Sequence, residues 1–338
     1  LVDDRIYKPR EGLSAPLIDA LRQHLARGEQ SLVFINRRGY APVLACTACD
    51  WVSGCTRCAS RLVFHLKEGK LRCHHCGHEE RPPRACPSCG NQDLKPLGQG
   101  TQRVESALSA VLPEARILRI DRDSTRRRDA WQGMRNEIEA GRVDVLVGTQ
   151  ILAKGHDFPS LSLVGIVNPD AALFSSDFRA SERLFSQLMQ VAGRAGRAEA
   201  PGVVLIQTRF PDHPLYQALR RHDYNGLSDT LLAERKQAGF PPFTFQALLR
   251  AEGQTAGRVM EFLKKAEGLA QGPHHGVTVY GAVPAAMPRL AGRERAQLLV
   301  ESGSRKKLQA FLSDWRPALA ALGERRVRWA LDVDPMDI

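Results

Sequence analysis

Eight cysteines in four C-x-x-C pairs are the residues of this sequence whose type and spacing define a chemistry most narrowly. The pairs are Cys46/Cys49, Cys55/Cys58, Cys73/Cys76 and Cys86/Cys89. Two-residue spacing turns both sulfurs of a tight loop toward one tetrahedral ion at about 2.3 Å. Gly77 and Gly90 directly follow two of the pairs, where a positive φ is readily adopted. Eight sulfurs make two four-sulfur sites, and four pairs can combine in three ways. The segment between Cys58 and Cys73, RLVFHLKEGKLR, reads as two short strands about a Glu68-Gly69 turn, the hairpin of a zinc ribbon. That arrangement assigns Cys55, Cys58, Cys73 and Cys76 to one zinc and leaves Cys46, Cys49, Cys86 and Cys89 for the other. Four cysteines close each site, so both zincs are expected to be structural. His74 and His75 then read as solvated neighbours of a complete site.

A second group of residues suits phosphate chemistry. The stretch QVAGRAGR at 190–197 reads as the end of a helix that starts near 179, with Arg194 and Arg197 three apart on one helical face. Two aimed guanidinia can spread over the charge of a transferring phosphoryl group. The stretch GTQILAKGHDFP at 148–159 follows an apolar strand. Ligands gather at the carboxyl ends of strands in an open α/β sheet, so Thr149, Lys154, Gly155 and Asp157 are expected there, toward phosphate and ribose.

The elements that must position these groups follow from periodicity. Helix is expected at 16–27, 101–112, 129–140 and 179–191, and strand at 31–36, 116–121, 143–148, 162–168 and 202–208. Strands separated by helices of this length indicate a mainly parallel sheet covered on both faces. The pattern resumes after the cysteines, so residues 46–91 read as a module inserted into one α/β domain formed by 1–45 and 92–215. Beyond the prolines at 211–214 and the GFPPF run at 239–243, a βαββαβ order over 228–338 predicts an α+β, ferredoxin-like C-terminal domain.

Composition narrows the partners. The 338 residues are 43% hydrophobic and 25% charged, which excludes intrinsic disorder and collagen-like repeats. No apolar run approaches the roughly 18 residues of a membrane span, and no apolar leader opens the chain. Without an export signal, paired cysteines point to metal thiolates rather than disulfides. Lys and Arg number 48 against 37 Asp and Glu, a net +11, which favours an anionic polymer as partner.

Taken together, GTQILAKGHDFP, LFSSDFRASERLFSQLMQVAGRAGR at 173–197, NRRGY at 36–40 ahead of the cysteine insertion, IDRDST at 120–125 and WALDVDP at 329–335 carry a resemblance. The first two resemble the second, RecA-like lobe of superfamily 2 helicases. The whole set resembles the primosomal protein N′ family of bacterial replication-restart helicases. The resemblance implies an ATP-dependent 3′-to-5′ DNA helicase that recognises stalled or branched forks and restarts replication by primosome assembly. It implies that Arg194 and Arg197 serve catalysis at the ATP γ-phosphate and that Gly155, Asp157 and Gln190 border the nucleotide. Thr149, Arg37 and Arg38 would lie along the DNA. Two structural Zn²⁺ belong to the chain, with ATP and Mg²⁺ in the full-length protein. The implied partners are single-stranded and forked DNA, single-strand-binding protein and other primosome proteins, met by a monomer in the bacterial cytoplasm, with no membrane. No G-x-x-x-x-G-K-[ST] loop and no DExH box occur here; the one Gly-Lys pair, Gly69-Lys70, lies in the ribbon hairpin. The chain is therefore expected to be part of a longer motor and inactive as an ATPase alone. The rival readings are a non-enzymatic zinc-bearing DNA- or protein-binding module and another superfamily 2 translocase.

Overall fold

The computed structural model describes the chain except for residues 37–42, 50, 66–67, 74–75, 98–100, 122–123, 126–129, 150–157, 159, 176, 197–200, 271–275 and 338. In chain order its elements are β1 (Val2–Asp3), α1 (Ala15–Ala26), β2 (Gln30–Ile35), β3 (Val43–Cys46), β4 (Val63–His65), β5 (Lys70–Arg72), β6 (Glu79–Glu80) and β7 (Leu94–Leu97). There follow α2 (Thr101–Val111), β8 (Ile117–Ile120), α3 (Ala130–Glu139), β9 (Val145–Gly148), β10 (Leu161–Val167), α4 (Ala180–Ala192), β11 (Val203–Thr208), α5 (Pro214–Arg221) and α6 (Tyr224–Ala238). The last part holds β12 (Phe245–Gly253), α7 (Ala256–Leu269), β13 (Val277–Val279), β14 (Val283–Leu290), β15 (Arg293–Ser302), α8 (Arg305–Ala321) and β16 (Val327–Val333). Contacts divide the chain into two compact units, Leu1–Ala41 with Gly98–Leu231, and Pro42–Leu97 with Leu232–Ile338.

The first unit is a parallel six-stranded sheet in the order β1-β11-β10-β2-β9-β8. Its strands are apolar on both faces. Val33, Ile35, Val145, Val147, Leu163 and Val167 pack with Leu17 and Leu21 of α1 and Val104 and Leu108 of α2. Leu32, Phe34, Leu146, Val164 and Ile166 pack on the other side with Ile138 of α3, Leu184, Phe185 and Leu188 of α4, and α5. Alternation along each strand thus demands helices on both faces, the arrangement expected of a RecA-like lobe.

Helix α5 lies where the sequence reads only a boundary. Pro214 occupies the first turn, where its missing N–H costs no hydrogen bond, and His213 caps the start through its ring. Leu215, Tyr216, Ala218 and Leu219 then bury against the sheet.

The second unit contains two sheets. In the cysteine-bearing segment the order is β6-β5-β4-β3-β7, with every pairing antiparallel. The C-terminal sheet runs β13-β15-β12-β16, also antiparallel, with α7 and α8 covering one face through Val259, Phe262, Leu263, Leu308, Phe311 and Trp315. Numbered as the four strands of a βαββαβ unit, that order is 2-3-1-4, which is the split βαβ arrangement. Strand β14 is an addition: it pairs with β15 beyond β13, and its Pro284 and Pro288 are accepted because the strand sits at an edge.

At the end of the first sheet, Asp170 gathers three donors, Thr208 Oγ1 at 2.6 Å, the Arg209 amide at 2.9 Å and the Tyr216 hydroxyl at 2.7 Å. Asp4 lies close by with one carboxyl oxygen buried and without a partner among the described residues. Burial, followed by the charges of Asp170 and Asp3, pushes the Asp4 carboxyl up to about 6. A carboxyl with a higher pKa folded than unfolded holds its proton more tightly in the fold. Its contribution is therefore complete below the ordinary carboxylate range and fades as pH rises through about 6. After allowance for solvent screening at this partly exposed group, the ionised form costs about 1 kcal/mol. Asp4→Asn is expected to raise the melting temperature by roughly 2–4 °C above neutral pH and to leave it unchanged near pH 4, as read by thermal denaturation at both values.

Candidate metal centre and sheet-end sites

Two cysteine clusters are the most completely built sites. The Sγ atoms of Cys46, Cys49, Cys86 and Cys89 lie within 4.8 Å of one another, and so do those of Cys55, Cys58, Cys73 and Cys76. Tetrahedral sulfur ligands at about 2.3 Å from zinc stand about 3.8 Å apart. The closest pairs are Cys46–Cys89 and Cys49–Cys86 at 3.6 Å and Cys55–Cys76 at 3.8 Å, far longer than a disulfide bond. The donor set, its spacing and its nested order all fit two closed ZnS₄ sites.

Local backbone explains how the sulfurs converge. Two of the four knuckles close on themselves: the Gly77 amide bonds Cys73 O and the Gly90 amide bonds Cys86 O, both at 2.9 Å. Gly77 at φ +74° and Gly90 at φ +78° supply the left-handed step this requires. Amide donors then point at sulfur, Ala48 to Cys46 and Arg57 to Cys55 at 3.3 Å, and Ser88 to Cys86 at 3.4 Å. The Asn91 side chain adds a donor to Cys46 at 3.5 Å. In the second cluster Arg72, almost wholly buried, ties the hairpin through Glu68 at 2.8 Å and Glu79 at 2.5 Å.

The two clusters differ in the surroundings of their thiols. Burial raises the Cys46 thiol, yet the Ala48 amide, the Asn91 side chain and the Cys49 amide together bring it down to about 6. Burial pushes the Cys58 thiol up to about 12 against the pull of the Ala291 amide, with Cys76 and Cys73 adding to the rise. Four thiolates cannot share so small a volume unless a divalent ion offsets their charge, and a coordinated ion makes each of them a thiolate outright. His74 and His75 lie outside the described residues.

The arginine-bearing turn differs from its expected form. Helix α4 ends at Ala192, and Gly193 is its cap, so Arg194 belongs to a turn and not to a helical face. The turn is held by the Arg194 amide on Val191 O at 3.0 Å, the Ala195 amide on Ala192 O at 3.1 Å and the Gly196 amide on Leu161 O at 3.1 Å. Gly202 passes so close that a Cβ would fall 2.4 Å from Ala195 C and Gly196 N. Those contacts pin the turn against the sheet. Arg197 itself lies outside the described residues, and Gln190 is exposed on α4.

Thr149 stands at the carboxyl end of β9 and is 9% exposed. Leu161, which accepts the Gly196 amide, is the first residue of β10, and β9 and β10 run in the same direction on either side of β2. Thr149 and the Arg194 turn therefore occupy opposite ends of the sheet. Gly155, Asp157, Lys154, Arg37 and Arg38 lie outside the described residues.

Other motif residues have structural duties. Asp121 of the IDRDST stretch is 1% exposed and accepts from Thr101 Oγ1 and Arg119 Nη1, both at 2.7 Å, which ties the start of α2 to β8. Asp334 of the WALDVDP stretch binds Arg305 at 2.7 Å, and its amide bonds Gln246 O at 2.9 Å. The role of Asp170 as a three-donor hub carries no signal in the sequence, because its partners come from segments some forty residues away.

Comparison with known proteins follows the same division. Residues 99–199 match a family described as the helicase conserved C-terminal domain, residues 55–81 the PriA DNA helicase Cys-rich region (CRR) domain, and residues 236–336 the primosomal protein N C-terminal domain. A replication restart protein PriA from Haemophilus influenzae is 42% identical over 339 residues, covering 100% of this chain and 46% of that protein. The Bacillus subtilis protein of the same name is 36% identical over 310 residues, covering 90% and 38% respectively. The Treponema pallidum one is 38% identical over 332 residues, covering 96% and 49%. The chain thus spans less than half the length of each of these relatives.

Purified protein is expected to contain about two zinc ions per chain by elemental analysis. Cys73→Ser is expected to reduce this to about one by removing the hairpin site, and a combined Cys73→Ser, Cys86→Ser variant to abolish binding. A content near one in the unaltered protein contradicts two closed sites.

Proposed function

Because the chain belongs to the replication restart protein PriA family, we propose that it forms the second helicase lobe, the zinc-bearing module and the C-terminal domain of an ATP-dependent 3′-to-5′ DNA helicase that restarts replication at stalled or branched forks. The observation that carries this reading is the co-occurrence, in one chain, of a helicase C-terminal domain, a PriA-type Cys-rich region and a primosomal protein N C-terminal domain. A pure binding module has no chemical need for two arginines three apart at the end of a helix in the lobe.

In this reading Arg194 and Arg197 meet the γ-phosphate of ATP, and Gly155, Asp157 and Gln190 border the nucleotide. Thr149, Arg37 and Arg38 follow the DNA backbone. The separation of Thr149 from the Arg194 turn supports two ligands at two ends of one sheet. The triphosphate cradle and the Mg²⁺ carboxylate are supplied by sequence other than these 338 residues. The zinc module and C-terminal domain serve branched DNA, single-strand-binding protein and other primosome proteins. The setting is the bacterial cytoplasm. Among the described residues no helix is long and apolar enough to cross a membrane.

Two measurements test this. Arg197→Ala in the complete protein is expected to lower DNA-stimulated ATP hydrolysis by about 10³-fold and to leave zinc content and DNA affinity intact. The 338-residue chain by itself is expected to hydrolyse no ATP, with or without DNA. Normal turnover by the Arg197→Ala protein removes the role given to that residue, and turnover by the isolated chain overturns the division of labour between lobes. Binding of the chain to fluorescent single-stranded or forked DNA is expected to weaken steeply with salt and to show little base preference, since phosphate neutralisation dominates. Salt-insensitive binding points to a different partner.

A further inference from the structure

The tip of the β14–β15 hairpin touches the second cysteine cluster. Arg289 pairs with Glu294 and Leu290 with Arg293, which leaves Ala291 and Gly292 as a two-residue turn at φ 52° and 80°. Glycine takes such a φ freely, whereas an alanine there is strained by about 1 kcal/mol or more and persists where its surroundings hold it. Three hydrogen bonds hold it. The Ala59 amide donates to Arg289 O and the Gly292 amide to Arg57 O, both at 2.8 Å. Between them the Ala291 amide donates to Cys58 Sγ at 3.2 Å. Leu290 packs against the cluster of Leu44, Cys55, Cys58, Leu62, Leu71 and Cys73.

We propose that this hairpin tip is an outer clamp on the second zinc site, so that zinc binding there and docking of the C-terminal domain on the zinc module are one linked equilibrium. Cys58 is 1% exposed, and its thiolate receives an amide donor from a residue 233 positions away. An N–H aimed at a ligand sulfur favours its ionised form and fixes its direction, and loss of such an outer partner costs about 10–100-fold in metal affinity. By reciprocity, losing the metal loosens the hairpin by the same factor. Simple packing between neighbours explains Leu290 but leaves unexplained why an alanine at positive φ presents its amide to a metal ligand. The first cluster is built differently, because its sulfurs take donors from Ala48, Ser88 and Asn91, all inside the zinc module.

The test uses the full chain and reads metal release directly. Cys86→Ser leaves only the second zinc, and Cys73→Ser only the first. Adding Leu290→Asp to each is expected to speed release to a colorimetric chelator by at least about 10-fold in the Cys86→Ser background and to leave the Cys73→Ser background unchanged. Leu290→Ala, a smaller cut expected to act in the same direction, keeps the test available if the aspartate variant does not fold. Ala291→Gly retains the amide and relieves the positive φ, so release is expected to stay within about two-fold of the parent. In the reverse direction, trypsin cleavage after Arg289 and Arg293 is expected to quicken by about 10-fold in Cys73→Ser and not in Cys86→Ser. Unchanged release when Leu290→Asp has opened the hairpin to trypsin overturns the proposal. So does an equally protected hairpin after the second zinc is lost, or faster release in Ala291→Gly.

Discussion

Strand β2 is buried at every one of its six positions and paired on both edges, with β9 on one side and β10 on the other. The first unit is organised around that constraint. A strand apolar on both faces has to be covered twice, which brings α1 and α2 to one face and α3, α4 and α5 to the other. Because its neighbours are parallel to it, their ends are fixed in space as well: the carboxyl end of β9 presents Thr149, and the amino end of β10 receives the turn that carries Arg194. The two sheet-end groups are thus kept apart by the length of one central strand.

In the zinc module the constraint is electrostatic. A segment with strands of two to four residues buries little apolar surface of its own and has to be held by something else. Eight cysteines in two clusters that fit two zinc ions are placed to supply that hold, and the nested order of the clusters joins the two ends of the insertion. Cys46 closes β3, and Cys86 and Cys89 lie shortly before β7, so one site fastens the base of the module while the other fastens the hairpin of β4 and β5. Within the second unit the C-terminal sheet adds a third point of attachment through the β14–β15 tip, where backbone amides and a thiolate replace what would otherwise be solvent.

The polar groups of the first unit follow the same economy. Gln207 takes the amide and hydroxyl of Ser14 at 2.9 and 3.0 Å and returns its own amide to Gly12 O at 3.0 Å, and Asp121 and Asp170 are each surrounded by donors. Asp4 is the contrast, a partly buried acid beside another acid. Its raised pKa makes that end of the lobe sensitive to pH.

Local patterning determined a great deal here. Periods of two and near 3.6 place most of the strands and helices within a few residues, since each buried face is written into consecutive positions. Cysteine spacing, with one hairpin-forming segment between Cys58 and Cys73, was enough to say which sulfurs meet, because that constraint also acts over short separations. Tertiary structure decided whatever depends on partners distant in sequence. Arg194 left the helical face because Leu161 and Gly202, from two other segments, capture the turn after Gly193. Strand β14, which the βαββαβ reading does not include, exists because β15 offers it an edge. Helix α5 was hidden behind its own proline, and α6, only weakly amphipathic, buries a single residue, Leu227, and has little pattern to reveal it. Ala291 carries no mark in the sequence at all. Its place at Cys58 arises from the meeting of two folded pieces, and an amide donor looks the same in every residue until the fold supplies its acceptor.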